Sequence, residues 1–288
     1  MVRIGYPEED EWMHDFDPAR LESHSYKSML KQRYDIFTFW QRYPDTKPRY
    51  KFQMEWDNVA ALEIKTIQDW WQSIDRKTRN MIRKAEKSGV VIREVVPDED
   101  FWKGVVEIYN ETPIRQGRPF RHYGKDLADV KAKFEPWVPQ STFIGAYYGQ
   151  ELIGLIQLIH ADKYTLMSQI LSKMKYFDKA PNNAMIAKAV EICANKGIKC
   201  LIYAKMSGGS LGQFKRSNGF VERHVPRYYF PLTLKGKIIL SLHLHHGIKG
   251  IIPKPVKDKL RPIRKTYYER ILTVDGKVVF RLISWCVL

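Results

Sequence analysis

Residues 141–232 constrain the fold of this chain more than any other stretch, because buried strands, a helix and turns follow one another there at short intervals. Residues 142–148 (TFIGAYY) and 151–160 (ELIGLIQLIH) flank Gly149 and Gln150, which predicts a hairpin of two buried strands. A third run covers 164–174. In APNNAMIAKAVEICANKG, Pro181 suits a first helical turn, Met185, Ile186, Ala189, Ile192 and Cys193 recur at helical spacing, and Gly197 ends the helix. A strand at 200–204, a short helix in SLGQFKRSNGF and a last strand pair in HVPRYYFPLTL complete the stretch. Strands alternating with helices in this order predict an α/β fold, a mixed central sheet with helices on its faces.

At 288 residues, 44% hydrophobic and 13% aromatic, the chain can fill one large or two small cores and is not a disordered segment. It has no apolar stretch of 18 residues, and its N-terminus turns acidic within ten residues. Neither a spanning helix nor a secretory signal is expected, so the expected compartment is the cytoplasm. Cys193, Cys200 and Cys286 lie singly, without C-x-x-C pairing, and read as packed thiols. A formal net charge of +16 favours anionic partners. That charge is polarised: residues 232–288 hold eight lysines and four arginines against Asp258, Glu269 and Asp275, whereas the first thirty residues are net acidic.

The element order, closed by Phe214-Lys215-Arg216-Ser217-Asn218-Gly219-Phe220, resembles the GCN5-related N-acetyltransferase fold over roughly residues 90–232. Within that superfamily the closer likeness is to the FemAB-type aminoacyltransferases of cell-wall bridge synthesis and their single-module relatives. These share a basic helix ahead of the domain, here from Lys77 to Val90, and a Phe-Lys pair before Gly-Phe, here Phe214-Lys215. The resemblance implies an acyltransferase that attaches an acyl or aminoacyl group to an amine, on a cell-envelope precursor at the inner membrane face. It divides the chain into an N-terminal extension (1–65) with extra strands, an acyltransferase domain with its leading basic helix (66–232), and a basic C-terminal extension (233–288). Acetyl-CoA users of the fold carry a glycine-rich loop whose amides cradle pyrophosphate at a helix N-terminus. Here the segment is SKMKYFDKAPNNA, without glycine. The implied donor is therefore aminoacyl-tRNA, with acyl-CoA as the alternative, and no cofactor is expected to be held tightly.

Along the chain, 34–67 holds aromatic-rich runs separated by Pro44-Asp45 and Asp57-Asn58 turns, expected either to extend the main sheet or to form a small layer of their own. From Thr66 the pattern is helical, and Arg79 and Arg83, one turn apart, can converge on one anion. The loop NETPIRQGRPFRHYGKD is kept from helix by its prolines and glycines yet concentrates Arg115, Gln116, Arg118, His122 and Tyr123, which suits contact with substrate. Leu127 to Trp137 reads as the second helix of the fold.

Acyl transfer needs a groove that holds carbonyl and amine together, a group that polarises the carbonyl oxygen, and a route for the proton. In the fold resembled, two central strands splay to make the groove, here 164–174 and 200–204, with Gln169, Ser172 and Lys173 on its lining. Lys173, Lys175 and Lys179 beside Asn182 and Asn183 make an anion site at the helix start. Lys215, four residues before Gly219, is the catalytic candidate for the oxyanion, and Phe214 is its partner in the motif. His122, Asp126, Tyr228 and Glu222 are candidate proton acceptors, Tyr228 being also a substrate contact. His243, His245 and His246 have no nearby acid or cysteine cluster, so no metal is expected. Residues 238–244 should pack apolar faces, while the basic surface beyond suits a phosphorylated substrate, tRNA or anionic membrane. Two other functions fit the composition: an acyl-CoA-dependent N-acetyltransferase acting on a nucleotide sugar or small amine, and a non-catalytic module binding nucleic acid or anionic membrane.

Overall fold

Two short N-terminal elements, β1 (Ile4–Gly5) and α1 (His24–Arg33), precede the first long strands, β2 (Ile36–Trp40) and β3 (Gln53–Glu63). The computed structural model describes residues 2–7, 15–115 and 117–247; Trp12, Gln116, Cys286 and the basic run from Lys249 lie outside them. The helical stretch after Thr66 is two helices, α2 (Ile67–Ser73) and α3 (Arg76–Lys87). It breaks because Ile74 is extended and buried while the Asp75 carboxylate accepts the Thr78 N–H at 2.6 Å, which starts a new helix. Strand β4 (Val90–Val95) leads to α4 (Glu99–Asn110), capped by Asp98. A two-residue hairpin, β5 (Ile114–Arg115) with β6 (Arg118–Pro119), leads to α5 (Leu127–Phe134), capped by Asp126.

The expected strand trio follows as β7 (Ser141–Tyr148), β8 (Glu151–His160) and β9 (Thr165–Ser172). After it come α6 (Pro181–Asn195), β10 (Cys200–Ile202), α7 (Gly209–Ser217), β11 (Val221–Pro231) and α8 (Leu234–Ser241). Among the described residues, nine strands form one mixed sheet in the order β1-β2-β11-β3-β10-β9-β8-β7-β4. Strands β2 and β3 thus extend the main sheet rather than forming a layer of their own.

Three apolar clusters set the layers. Trp70, Ile74, Ala85, Met185, Ile186, Ala189 and Val190 press α2, α3 and α6 onto one face, over Ile156, Met167 and Leu201. Phe101, Trp102, Ile108 and Phe134 press α4 and α5 onto the other, over Phe143 and Leu155. Phe16, Phe37, Phe39 and Tyr228 fix the N-terminal residues against β2 and β11. Each buried aromatic of this kind removes enough apolar surface from water to contribute about 2 kcal/mol.

Three local expectations differ from the structure. Strand β3 runs unbroken through Asp57 and Asn58, since their side chains bond sideways: Asp57 accepts from Trp40 Nε1 at 2.8 Å and Asn58 Oδ1 accepts the Met206 N–H at 2.8 Å. The last strand pair is one strand, β11. Its Pro226 is tolerated because the carbonyl of Pro226 faces the end of β2, accepting from Gln41 N, so the missing N–H interrupts no long ladder. Residues 238–244 do not bury their apolar face. Leu240 packs on Ile36 and Tyr229, but Ile238, Leu242 and Leu244 are exposed.

Candidate functional site

Strands β9 and β10 run parallel yet share only the pairs Thr165 with Leu201 and Leu166 with Ile202. Beyond these, β9 continues to Ser172, while the chain leaving β10 stays on β3, with Tyr203 N donating to Ala60 O and Ala60 N to Ala204 O. Ala204 makes the bend in the left-handed region, at φ 46°. The two strands therefore part. On the face carrying Tyr43 and Tyr164, a cavity of about 350 Å³ opens at the fork, lined by Leu166, Met167, Ser168, Ile202 and Ala204. At its rim Lys205 Nζ lies 2.5 Å from Asp57 Oδ2, and this lysine helps hold the Asp57 carboxyl below its usual range against the opposing effect of burial.

Lys215 stands behind the wall of this cavity. It is 2% exposed, and its Nζ donates to Tyr203 O and Lys205 O, both at 2.7 Å, while lying 4.0 Å from the centre of the Tyr203 ring. These carbonyls flank Ala204, so the ammonium holds the bend that parts the strands. An ammonium has three N–H groups, and the two carbonyls take two of them. Burial pushes its pKa down to about 8.

Helix α6 begins beside Asn218, just past the end of α7. Its N-cap, Ala180, is also left-handed, at φ 55°, and caps no N–H with its side chain. Asn183 Nδ2 reaches Asn218 Oδ1 at 3.3 Å, Asn218 Nδ2 donates to Phe214 O, and Trp70 Nε1 donates to Asn218 O. Asn183 is thus linked through Asn218 to the Phe214 carbonyl, whereas the Lys215 ammonium points to Tyr203 O and Lys205 O, and Asn182 Oδ1 is buried without a hydrogen-bond partner.

Farther along β9, past the bulge at Ser168 and on the same face as Leu166, lies a second group. Gln169 Oε1 accepts from the Tyr109 hydroxyl at 2.8 Å and from Lys133 Nζ at 2.7 Å. His122 stacks on Tyr109 with ring centres 4.6 Å apart. Burial, with Lys133 and Arg121 nearby, depresses the His122 imidazole to about 3, so it is neutral at pH 7 and accepts from Arg121 Nε. Of the four candidate proton acceptors, His122 is the one placed on this face. Asp126 caps α5, Glu222 is exposed on β11, and the buried Tyr228 hydroxyl bonds Gln41 and Arg49 N.

Other candidates serve the framework. Arg115 donates to Ser172 O, Ile108 O and Glu111, tying the β5–β6 hairpin to the end of β9. Lys173 is buried between Glu107 and Glu151, both at 2.6 Å, and Lys175 pairs with Glu151, whose carboxyl is held down to about 2 by these bonds despite burial. Two of the three lysines expected to form an anion site are therefore already matched by carboxylates. Lys179 lies over the Tyr148 ring. Ser172 Oγ is buried without a partner. Arg79 bonds Trp71 O, and Arg83 lies over the Trp71 ring, so both cluster on one tryptophan. Arg118 is exposed, Tyr123 packs on the α4 cluster, and Gln116 is outside the described residues. Sequence reasoning missed Asp57 and Lys205 at the cavity rim, and Lys133. Asp57 sits in a dipeptide with turn character, and nothing in the local spacing of Lys133 points to β9.

Residues 14–124 match the model of the FemAB family. No curated protein matches the chain. Among solved structures it is similar to FemX, at 11% identity and TM-score 0.55, over 77% of this chain and 78% of that one. It is similar also to L-PGS from Bacillus licheniformis, at 12% identity and TM-score 0.52, over 84% and 81% of the two chains. A third is the C-terminal domain of a protein assigned as a lysylphosphatidylglycerol synthetase from Agrobacterium fabrum, at 10% identity and TM-score 0.52, over 84% and 81%. At these identities the structural likenesses establish the fold.

Proposed function

We infer that this FemAB-type acyltransferase moves an aminoacyl group from tRNA to an amine on an anionic, lipid-linked cell-envelope component, at the fork between β9 and β10. The observation that carries the reading is the buried Lys215 ammonium clamped to the two carbonyls around Ala204, behind the wall that Ala204 and Lys205 give to the cavity where the strands part. In the proposed reaction the acceptor nitrogen attacks the ester carbonyl carbon. The carbonyl oxygen becomes an oxyanion, the C–N bond forms, the C–O bond to the ribose breaks, and the ribose hydroxyl leaves with a proton. Lys215 would serve that oxyanion with its remaining N–H, and would keep the strands apart through the other two. With its pKa at about 3 and its Nε2 already accepting from Arg121, His122 is too weak a base for the amine proton, which would pass to water instead. The family match and the names of FemX and the two synthetase structures support an aminoacyl donor and an envelope acceptor.

Contact with an anionic membrane fits this reading. Leu234, Ile238 and Leu242, spaced four apart on and just after α8, are 76%, 51% and 60% exposed, with Lys235 and Lys237 beside them. No helix among the described residues is long and apolar enough to cross a membrane.

One observation favours an acyl-CoA donor as a second reading: the first turn of α6 lacks a side-chain cap, so its N–H groups could face a pyrophosphate. The deciding experiment compares turnover of charged tRNA and of acyl-CoA with an amine acceptor, for wild type and Lys215→Ala. Aminoacyl transfer should fall by about 100-fold to 1000-fold in the variant, with tRNA binding retained. Turnover from acyl-CoA alone would replace the donor. Unchanged turnover in Lys215→Ala would remove Lys215 from the chemistry.

A further inference from the structure

His245 and His246 occupy a single 3₁₀ turn after α8, and the acid that is missing around them in sequence comes from β3. Glu55 Oε1 lies 2.8 Å from His245 Nε2, and Glu55 Oε2 lies 2.6 Å from His246 Nε2. One carboxylate thus faces two imidazoles, and a donor atom from each of the three residues lies within 4.8 Å of the other two. The Tyr229 ring packs against both imidazoles, and its hydroxyl reaches the same carboxylate at 3.3 Å. The His245 side chain is fully buried, whereas His246 and Glu55 are 44% and 30% exposed, so the cluster has one fixed wall and one side open to water.

We propose that Glu55, His245 and His246 bind a divalent transition metal, Zn²⁺ by preference, that pins the turn after α8 to β3. Two imidazoles and a carboxylate form a ligand set suited to Zn²⁺, leaving a fourth position for water. Bonds of about 2.0–2.1 Å in a tetrahedron place ligand atoms roughly 3.3 Å apart, so the donors must open by about 0.6 Å from their present contacts. The exposed His246 ring and the half-exposed Glu55 carboxylate can supply that movement while His245 stays fixed. On binding, each ring presents its Nε2 lone pair to the ion and carries its proton on Nδ1. His245 Nδ1 is buried without a hydrogen-bond partner, so this ligand has no acceptor behind it. A site lacking such support binds about 10-fold to 100-fold more weakly than one that has it.

The test uses the untagged full chain, stripped of metal by a chelator and titrated with ZnCl₂ by calorimetry. Parallel absorption spectra with Co²⁺ report coordination directly. One equivalent should bind, Co²⁺ should show the visible bands of a low-coordinate ion, and Zn²⁺ should raise the melting temperature. His246→Ala and Glu55→Gln should each weaken binding by more than about 100-fold, beyond the range for losing a supporting group. His243→Ala, which removes no ligand, should leave it unchanged. Far-UV circular dichroism establishes that the variants fold; His246 is half exposed, so its removal leaves the core intact. Absence of binding by wild type would overturn the site. So would an affinity that both ligand variants keep, since the ion would then sit on other residues.

Discussion

Lys215 carries two opposite pH dependences. Its folded pKa of about 8 lies below the ordinary lysine value of 10.5, so between these the unfolded chain binds more protons than the folded one. Stability should therefore rise with pH across that window, by about 3 kcal/mol at most. Activity should instead fall above pH 8, as the ammonium proposed to serve the oxyanion is lost. Denaturant melts and initial rates measured from pH 7 to 10, for wild type and Lys215→Met, separate the two: the variant should lose the stability slope attributable to this group. A second effect at single positions concerns Ala180 and Ala204, both left-handed where an L side chain is strained by roughly 1–2 kcal/mol. Ala180→Gly removes that strain at some entropic cost and should stabilise by about 1 kcal/mol in the same melts. Lys215, Phe214, Asn182 and Asn183 are candidates in sequence because they sit in short local motifs. Glu55 could not, since its histidine partners follow 190 residues later and no spacing rule links a strand residue to a distant turn.

Among the elements, α3 depends on its cap. Asp75 caps the helix with which the Thr66 stretch restarts, and Asp75→Ala should cost about 1 kcal/mol in chemical denaturation. The Asp75 carboxyl is also held below its usual range, chiefly by the Thr78 N–H. That contribution is present above the unfolded carboxylate pKa and is lost as pH falls through the lower folded one. Elements whose pattern is periodic were readable: the β7–β8 hairpin by its apolar runs around Gly149, and α6 by its spacing between Pro181 and Gly197. Elements shaped by lateral bonds were not. Asp57-Asn58 has the composition of a turn, and only the indole of Trp40, the ammonium of Lys205 and the amide of Met206 keep it in a strand. The exposed face of α8 was read as packed because apolar spacing says that a face exists and not what covers it. Its role can be checked by sedimentation with phosphatidylglycerol vesicles, from which Ile238→Asp with Leu242→Asp should release the protein.

In the whole molecule, the N-terminal strands and the acyltransferase-like region are one sheet with continuous packing. Phe39 touches Phe16, Tyr50, Phe52 and Tyr228 and is almost fully buried. Phe39→Ala should cost about 3–5 kcal/mol. Because β3 lies between β10 and β11, tryptophan fluorescence and circular dichroism should lose signal together in that variant; separate transitions would mean that the two regions unfold independently.

The place of β3 also bears on how the protein is made. This strand leaves the ribosome early, yet both its neighbours, β10 and β11, come from the last third of the described chain. During synthesis it must wait, bare on both sides, while more than a hundred residues are added. A nascent chain halted before Cys200 would therefore present an open template for pairing with other chains, and a cell making this protein has reason to shield that strand until translation is nearly finished.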